Sequence, residues 1–85
     1  MKLFNTINQK IEQIMSLPGQ IFVEIRGREL VLAEGYCRIE HYGEDSITLS
    51  SEKDSIRICG ENLALRHLSN ERVAVEGRIS GIEFL

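Results

Sequence analysis

Two histidines, two cysteines and a scattered set of carboxylates are the side chains of this sequence that could do chemistry. His41 and His67 lie 26 residues apart and together could supply half of a metal site. Neither has a carboxylate or thiolate at the short spacing that helical and finger-type metal motifs use. We therefore predict that the chain binds no metal. We expect the two histidines to occupy equivalent strand ends in two similar segments.

The cysteines are Cys37 and Cys59, with no CxxC pair, so the sequence predicts neither a disulfide framework nor a zinc site. Cys37 shares the parity of the apolar Ile39, which predicts a small buried thiol and not a nucleophile. Cys59 has the parity opposite to Ile56 and Ile58, and we expect it to be more exposed than Cys37.

Several carboxylates are candidates for general acid–base chemistry, namely Glu24, Glu40, Glu76 and Glu83. An acid–base pair needs a cleft and a shifted pKa, and a chain of this length offers only a thin sheet for both. The Gly-containing segments match neither the GxGxxG nor the GxxxxGK phosphate loop. We therefore predict that the protein is not an enzyme and uses no cofactor.

The composition is that of an ordinary small globular domain, with 85 residues, 42% hydrophobic, 27% charged and a formal net charge of −3. The acidic balance argues against nucleic acid as a partner, and we expect the arginines to pair with carboxylates on strand surfaces. No apolar run reaches the ~20 residues of a transmembrane helix. Without a signal peptide, the sequence predicts a cytoplasmic protein in a reducing compartment.

Residues 1–17 are predicted to form an amphipathic helix of about four turns, because apolar residues recur there at intervals of three and four. The apolar stripe, which is the predicted interaction surface, consists of Phe4, Ile7, Ile11 and Ile14. Pro18 and Gly19 mark the end of the helix. A helix this short needs a cover for its stripe. Three covers stay open: the chain's own sheet, a partner helix or second subunit, and a membrane surface.

Residues 18–85 alternate with a period of two, which predicts a single antiparallel β domain. Turn signals at short intervals predict about seven to eight short or bent strands forming a small sandwich or roll. The pattern runs twice, over residues 30–51 and 56–77, as strand, Gly-containing corner, strand, turn and strand. We expect the corners near Gly35 and Gly60 to mark strands that bend across the core, and a one-residue bulge near Gly81.

These segments resemble the YabP/YqfC family of bacterial sporulation proteins. The resemblance covers residues 18–85, and the family closes in a similar way, with an apolar-x-apolar-x-Gly strand followed by an apolar-Glu-aromatic end. The short amphipathic N-terminal segment is more similar to the YqfC branch. The matching segments are residues 18–28, 28–35, 39–42, 47–49, 56–65 and 73–85.

The resemblance implies a non-enzymatic protein that acts as an interaction or scaffold component in spore envelope or coat formation. The expected partners are proteins of the sporulation machinery, membrane-associated ones included, and further copies of the chain. The expected location is the mother-cell cytoplasm or the forespore surface. The family has no catalytic residues to carry over. The resemblance assigns a role only to the positions that shape the fold, which are Gly35, Gly60, Asn62, Gly77 and Gly81.

A helix followed by about five bent strands also describes Sm-like small barrels, which bind RNA through loops in a ring. The acidic charge of this chain argues against that alternative. RNA binding that weakens steeply with salt would favour it.

Overall fold

The computed structural model describes residues 19–85, so the helix predicted over residues 1–17, with its apolar stripe, lies outside the described residues. The described part is one six-stranded antiparallel sheet in the order β1-β2-β6-β5-β4-β3. The strands are β1 (Phe22–Arg26), β2 (Leu30–Glu34), β3 (Arg38–Tyr42), β4 (Ser46–Ser50), β5 (Ser55–Leu68) and β6 (Arg72–Phe84).

The predicted mainly β, antiparallel class is confirmed, but the described residues form six strands where seven to eight were expected. The difference arises because β5 and β6 run through Gly60 and Gly77 as long strands that remain paired on either side of these glycines. The expectation that the corner at Gly60 marks a long, bent strand is confirmed. Register shifts in the ladder bend these strands without ending them.

The bend of the β5–β6 pair brings two backbones close together at Gly60. A Cβ atom there would lie 2.1 Å from the carbonyl oxygen of Arg78, and one at Gly77 would lie 2.7 Å from that of Asn62. Gly77 has φ 144° and Asn62 has φ 53°, conformations that glycine and asparagine tolerate better than other residues. Three of the fold-shaping positions therefore form one corner.

Gly35 has a different role from the one predicted. It follows β2 with φ 122°, and a Cβ atom there would lie 2.6 Å from the carbonyl oxygen of Gln20. The chain bends at Gly35 to leave β2 and reach β3 at the far edge of the sheet. The expectation that Gly35 marks a continuous strand bending across the core is therefore wrong.

The predicted bulge near Gly81 is confirmed. Cys59 pairs with Gly81 and Gly60 pairs with Ile79, which leaves Ser80 as the extra residue on β6. A bulge of this kind bends the strand and changes which face the following side chains point to.

Two hairpins flank the β5–β6 pair in the same way, since β1–β2 lies against β6 and β3–β4 lies against β5. The turn carbonyls of each hairpin accept hydrogen bonds from the bend of the long strand beside it. These bonds run from Gly77 and Ile79 to Glu29 and Arg28, and from Gly60 and Leu63 to Asp45 and Glu44. The corner is thus held by both hairpins.

One core lies inside the sheet. Its fully buried side chains are Val31, Ile47, Leu49, Ile56, Ile58, Val73 and Val75. Strands β2 and β4 are separated by β6 and β5 in the sheet order, yet both contribute to this core, so the sheet rolls round it. Gly19, the first described residue, lies against the turn between β4 and β5 and closes the roll. Its carbonyl accepts hydrogen bonds from the Ser51 hydroxyl and the Lys53 amide.

Candidate interaction site

The two histidines that were considered as metal ligands lie on different strands and face outwards. His41 and His67 are exposed, and each is the penultimate residue of its strand, β3 and β5 respectively. Among residues 19–85, no group of three or more His, Cys, Asp or Glu side chains is arranged to hold a metal ion. The described residues therefore place the histidines at strand ends, as the sequence predicted.

The four candidate carboxylates each pair with an arginine on the strand surface. The N···O distances are 2.7 Å for Arg26–Glu24, 2.6 Å for Arg38–Glu40, 3.0 Å for Arg66–Glu76 and 3.6 Å for Arg57–Glu83. Two further pairs join Arg72 to Glu34 and Arg78 to Glu61. The predicted arginine–carboxylate pairing is confirmed for these six. Because most of these side chains are exposed to solvent, such pairs add little to the stability of the fold.

Glu40 is the best organised of these carboxylates. The hydroxyl of Ser50 donates a hydrogen bond to it at 2.7 Å, and the Arg38 guanidinium lies on the same oxygen at 2.6 Å. The Ser50 hydrogen bond and the Arg38 charge hold the pKa of Glu40 below its ordinary value. The carboxylate is kept ionised and paired, which is the opposite of what a general acid needs.

Both cysteines are free thiols and are half-buried. Cys37 packs against the core but is less buried than predicted. Burial raises the pKa of both thiols, and the Glu83 carboxylate at 3.5 Å raises that of Cys59 further. A raised pKa lowers the thiolate fraction, so neither position has the environment of an activated nucleophile.

One concave surface of the described residues is a groove between β1 and the C-terminal half of β6, which we call the β1–β6 groove. It has a volume of about 1240 Å³. Its apolar lining consists of Val23, Ile25, Ile79, Ile82 and Phe84. The backbone of Gly81 and the turn after β1 complete the surface.

The topology explains why this groove is open. Strand β2 pairs with residues 72–76 of β6, and beyond Glu76 its place is taken by the turn that joins β1 to β2. Residues 80–84 of β6 pair with β5 on one side. On the other side, no strand among residues 19–85 pairs with them. The N–H and C=O groups of such an edge are able to pair with an added chain.

The groove also exposes large apolar side chains. Ile25 is 54% exposed and Phe84 is 80% exposed. Ile82 packs against the core, whereas Phe84, two residues later on the same face, extends past it. Apolar residues exposed singly are common, but a group of them lining one groove is typical of a binding surface.

A second groove lies where β3 begins and β5 ends. Its volume is about 620 Å³, and its lining includes Tyr36, Cys37, Leu68 and Ser69. Tyr36 is 75% exposed, and its hydroxyl donates a hydrogen bond to Glu71 at 3.0 Å. That hydrogen bond and the charge of Glu71 raise the pKa of Tyr36. This smaller groove provides a matched control surface for the β1–β6 groove.

Sequence reasoning did not find the β1–β6 groove. Its two walls come from opposite ends of the described chain, and only the strand order brings them together. The one local signal is Phe84, an aromatic residue near the end of the sequence. The predicted stripe of Phe4, Ile7, Ile11 and Ile14 lies outside the described residues, so the structure does not place it.

Residues 19–85 contain no helix with the length and apolarity that crossing a membrane would require. The model of the YabP family matches residues 19–85, which include all six strands and both grooves. Comparison with curated proteins and with solved structures returned no match. Because the family match spans well over half of the sequence, the chain belongs to the YabP family and is a sporulation-associated protein.

Proposed function

We propose that the protein is a non-enzymatic interaction or scaffold component of spore envelope or coat formation. We further propose that it binds its partner through the β1–β6 groove. Membership of the YabP family supports the sporulation setting. The observation that carries the binding mode is the exposure of Ile25 and Phe84 in one groove beside an unpaired strand edge.

The mechanism is burial of apolar surface together with strand pairing. Fully covering a side chain such as Phe84 or Ile25 stabilises a complex by about 1.5–3 kcal/mol each. An extended segment of the partner would also pair its backbone with residues 80–84 of β6. Apolar side chains would give affinity, and the ladder would fix the orientation of the partner.

The expected partners are other proteins of the sporulation machinery, including membrane-associated ones, and further copies of the chain. The proposed location is the mother-cell cytoplasm or the surface of the forespore. The assignment to the YqfC branch stays a prediction, because the family match does not distinguish the branches. The Sm-like RNA-binding alternative also stays a prediction, and the absence of binding to any RNA at low salt would remove it.

In the test, the native gene of the endospore-forming host is replaced by a gene that encodes the Phe84→Asp variant. Tyr36→Asp is the matched control, since it puts the same charge on the second groove. We expect Phe84→Asp to remove the protein from the forespore surface and to lower the yield of lysozyme-resistant spores. Tyr36→Asp is expected to do neither. Equal effects of both variants, or no effect of Phe84→Asp at normal protein level, would contradict the proposal.

A further inference from the structure

The described chain begins beside one end of the β1–β6 groove. The Gly19 carbonyl is held by the hydroxyl of Ser51, in the turn between β4 and β5. The next strand begins at Ser55, whose carbonyl accepts a hydrogen bond from the amide of Leu85 at 2.9 Å. The segment from Ser51 to Ser55 therefore contacts both Gly19 and the end of β6. Gly19, the first described residue, therefore lies near the end of β6 that carries Phe84.

The length of the N-terminal segment suits the groove. A helix of about 15 residues is about 22 Å long. The part of β6 that lines the groove runs from Ile79 to Phe84, and strand residues rise about 3.3 Å each, so this wall is about 20 Å long. A helix that starts its return at Gly19 therefore covers the groove from one end to the other.

The chemistry of the two surfaces is complementary. The predicted stripe of Phe4, Ile7, Ile11 and Ile14 is aliphatic and aromatic, like the groove lining. The two parts of the chain also carry net charges of opposite sign, although the charged residues of the groove lining itself are Arg28, Glu29 and Arg78. Residues 1–18 carry two lysines and one glutamate, whereas residues 19–85 carry eight basic and 12 acidic residues.

Gly81 is a second indication that another segment approaches here. Its φ lies outside the left-handed region, and a Cβ atom there would meet no described atom within 4 Å. Neither backbone geometry nor space within residues 19–85 requires a glycine at this position. Glycine inside a strand marks either a bulge, which is present here at Ser80, or a place where another backbone comes close, and Gly81 lies in the wall of the groove.

We propose that residues 1–17 fold back as a helix and seat their apolar stripe in the β1–β6 groove of the same chain. The segment is then a built-in cover that a partner must displace before it binds. The role of the cover in controlling partner binding rests on the proposed function, whereas the docking itself does not.

Disulfide trapping tests the docking in the full-length chain. Cys37→Ser and Cys59→Ser remove the native thiols, and Ile11→Cys is then combined with Ser80→Cys in the groove. The matched control combines Ile11→Cys with Ser69→Cys, which is also exposed but lies in the second groove. We expect an intramolecular disulfide for the Ser80 pair at a rate independent of protein concentration. We expect little for the control.

Three outcomes of the trapping would overturn the proposal. They are no disulfide with Ser80→Cys, a disulfide that joins two chains, and equal trapping in the control. The second would assign the groove to the N-terminal segment of another copy.

Hydrogen exchange gives a readout that needs no new cysteine. Ile7→Asp with Ile11→Asp places charges on the stripe, while Gln9→Asp with Gln13→Asp places the same charges on the opposite helix face. We expect the stripe variant alone to speed amide exchange in residues 79–84 roughly tenfold, equivalent to about 1.4 kcal/mol. Unchanged exchange would overturn the docking. The exchange readout bears on the docking alone, and the Phe84→Asp test of spore resistance bears on the proposed function.

Discussion

Replacing Gly60 by alanine is the sharpest test of the corner that shapes the whole sheet. The new Cβ atom would lie 2.1 Å from the Arg78 carbonyl oxygen and 3.0 Å from Cδ2 of Leu63. Ordinary contact begins near 3.4 Å, so two paired backbones must move apart by more than about 1 Å. The φ of Gly60 lies outside the left-handed region, so the substitution tests contact alone and not backbone strain.

We expect Gly60→Ala to lower the free energy of unfolding by about 2–3 kcal/mol, the usual cost of forcing extra atoms into a packed site. A chain of this size is stable by between about 4 and 13 kcal/mol, so the variant should still fold. With a urea m-value of roughly 1 kcal/mol/M, the unfolding midpoint should fall by about 2–3 M. Far-UV circular dichroism of the full-length chain measures both quantities.

Gly43→Ala is the matched control. Its Cβ atom would lie 3.3 Å from Nε2 of His41 and 3.4 Å from Oδ1 of Asp45, two side chains that are free to rotate. We expect this variant to stay within about 1 kcal/mol of the native chain. If Gly60→Ala were as stable as Gly43→Ala, the close approach of β5 and β6 at the corner would be refuted.

Three further predictions follow from the core and from the shifted pKa values. Ile58→Ala removes a fully buried side chain and should lower the free energy of unfolding by about 2–5 kcal/mol in urea titration. Ser50→Ala should raise the pKa of Glu40 towards its ordinary value in an NMR titration. Because that pKa is lower in the folded chain, Glu40 stabilises the fold above its unfolded pKa and loses this contribution as pH falls through its folded pKa. Glu83→Gln should speed the reaction of Cys59 with a disulfide reagent at pH 8, since the carboxylate raises the thiol pKa; an unchanged rate would count against that contact.

The strands near the chain's middle could be predicted well from alternation alone. Ile47 and Leu49 share a parity, and both are fully buried, as are Val73 and Val75. The reversal expected at Gly27 is also present, with φ 59° in the turn between β1 and β2. These features depend on neighbours within a few residues, and period-two burial records such neighbours directly.

The strand count could not be predicted, because the local signal at a glycine is the same for a turn, as at Gly35, and for a bend inside a strand, as at Gly77. Only the partner strand decides which one forms, and that partner lies elsewhere in the chain. The groove was missed for a related reason. Ile25 and Phe84 have the parity of core residues, but each lies where its sheet edge runs past the core.

Only one ladder of the sheet joins strands that are not consecutive in the chain, namely the ladder between β2 and β6, where Leu30 pairs with Glu76. Forming this ladder closes the long loop between β2 and β6, and the entropic cost of that closure is met in one step. Strands β3 to β6, by contrast, form a meander in which each strand pairs with its neighbour in the sequence. We expect β1–β2 to dock late in folding and to open first in the native chain. Since β1 is one wall of the β1–β6 groove, a partner that binds there binds only chains that have completed their last folding step.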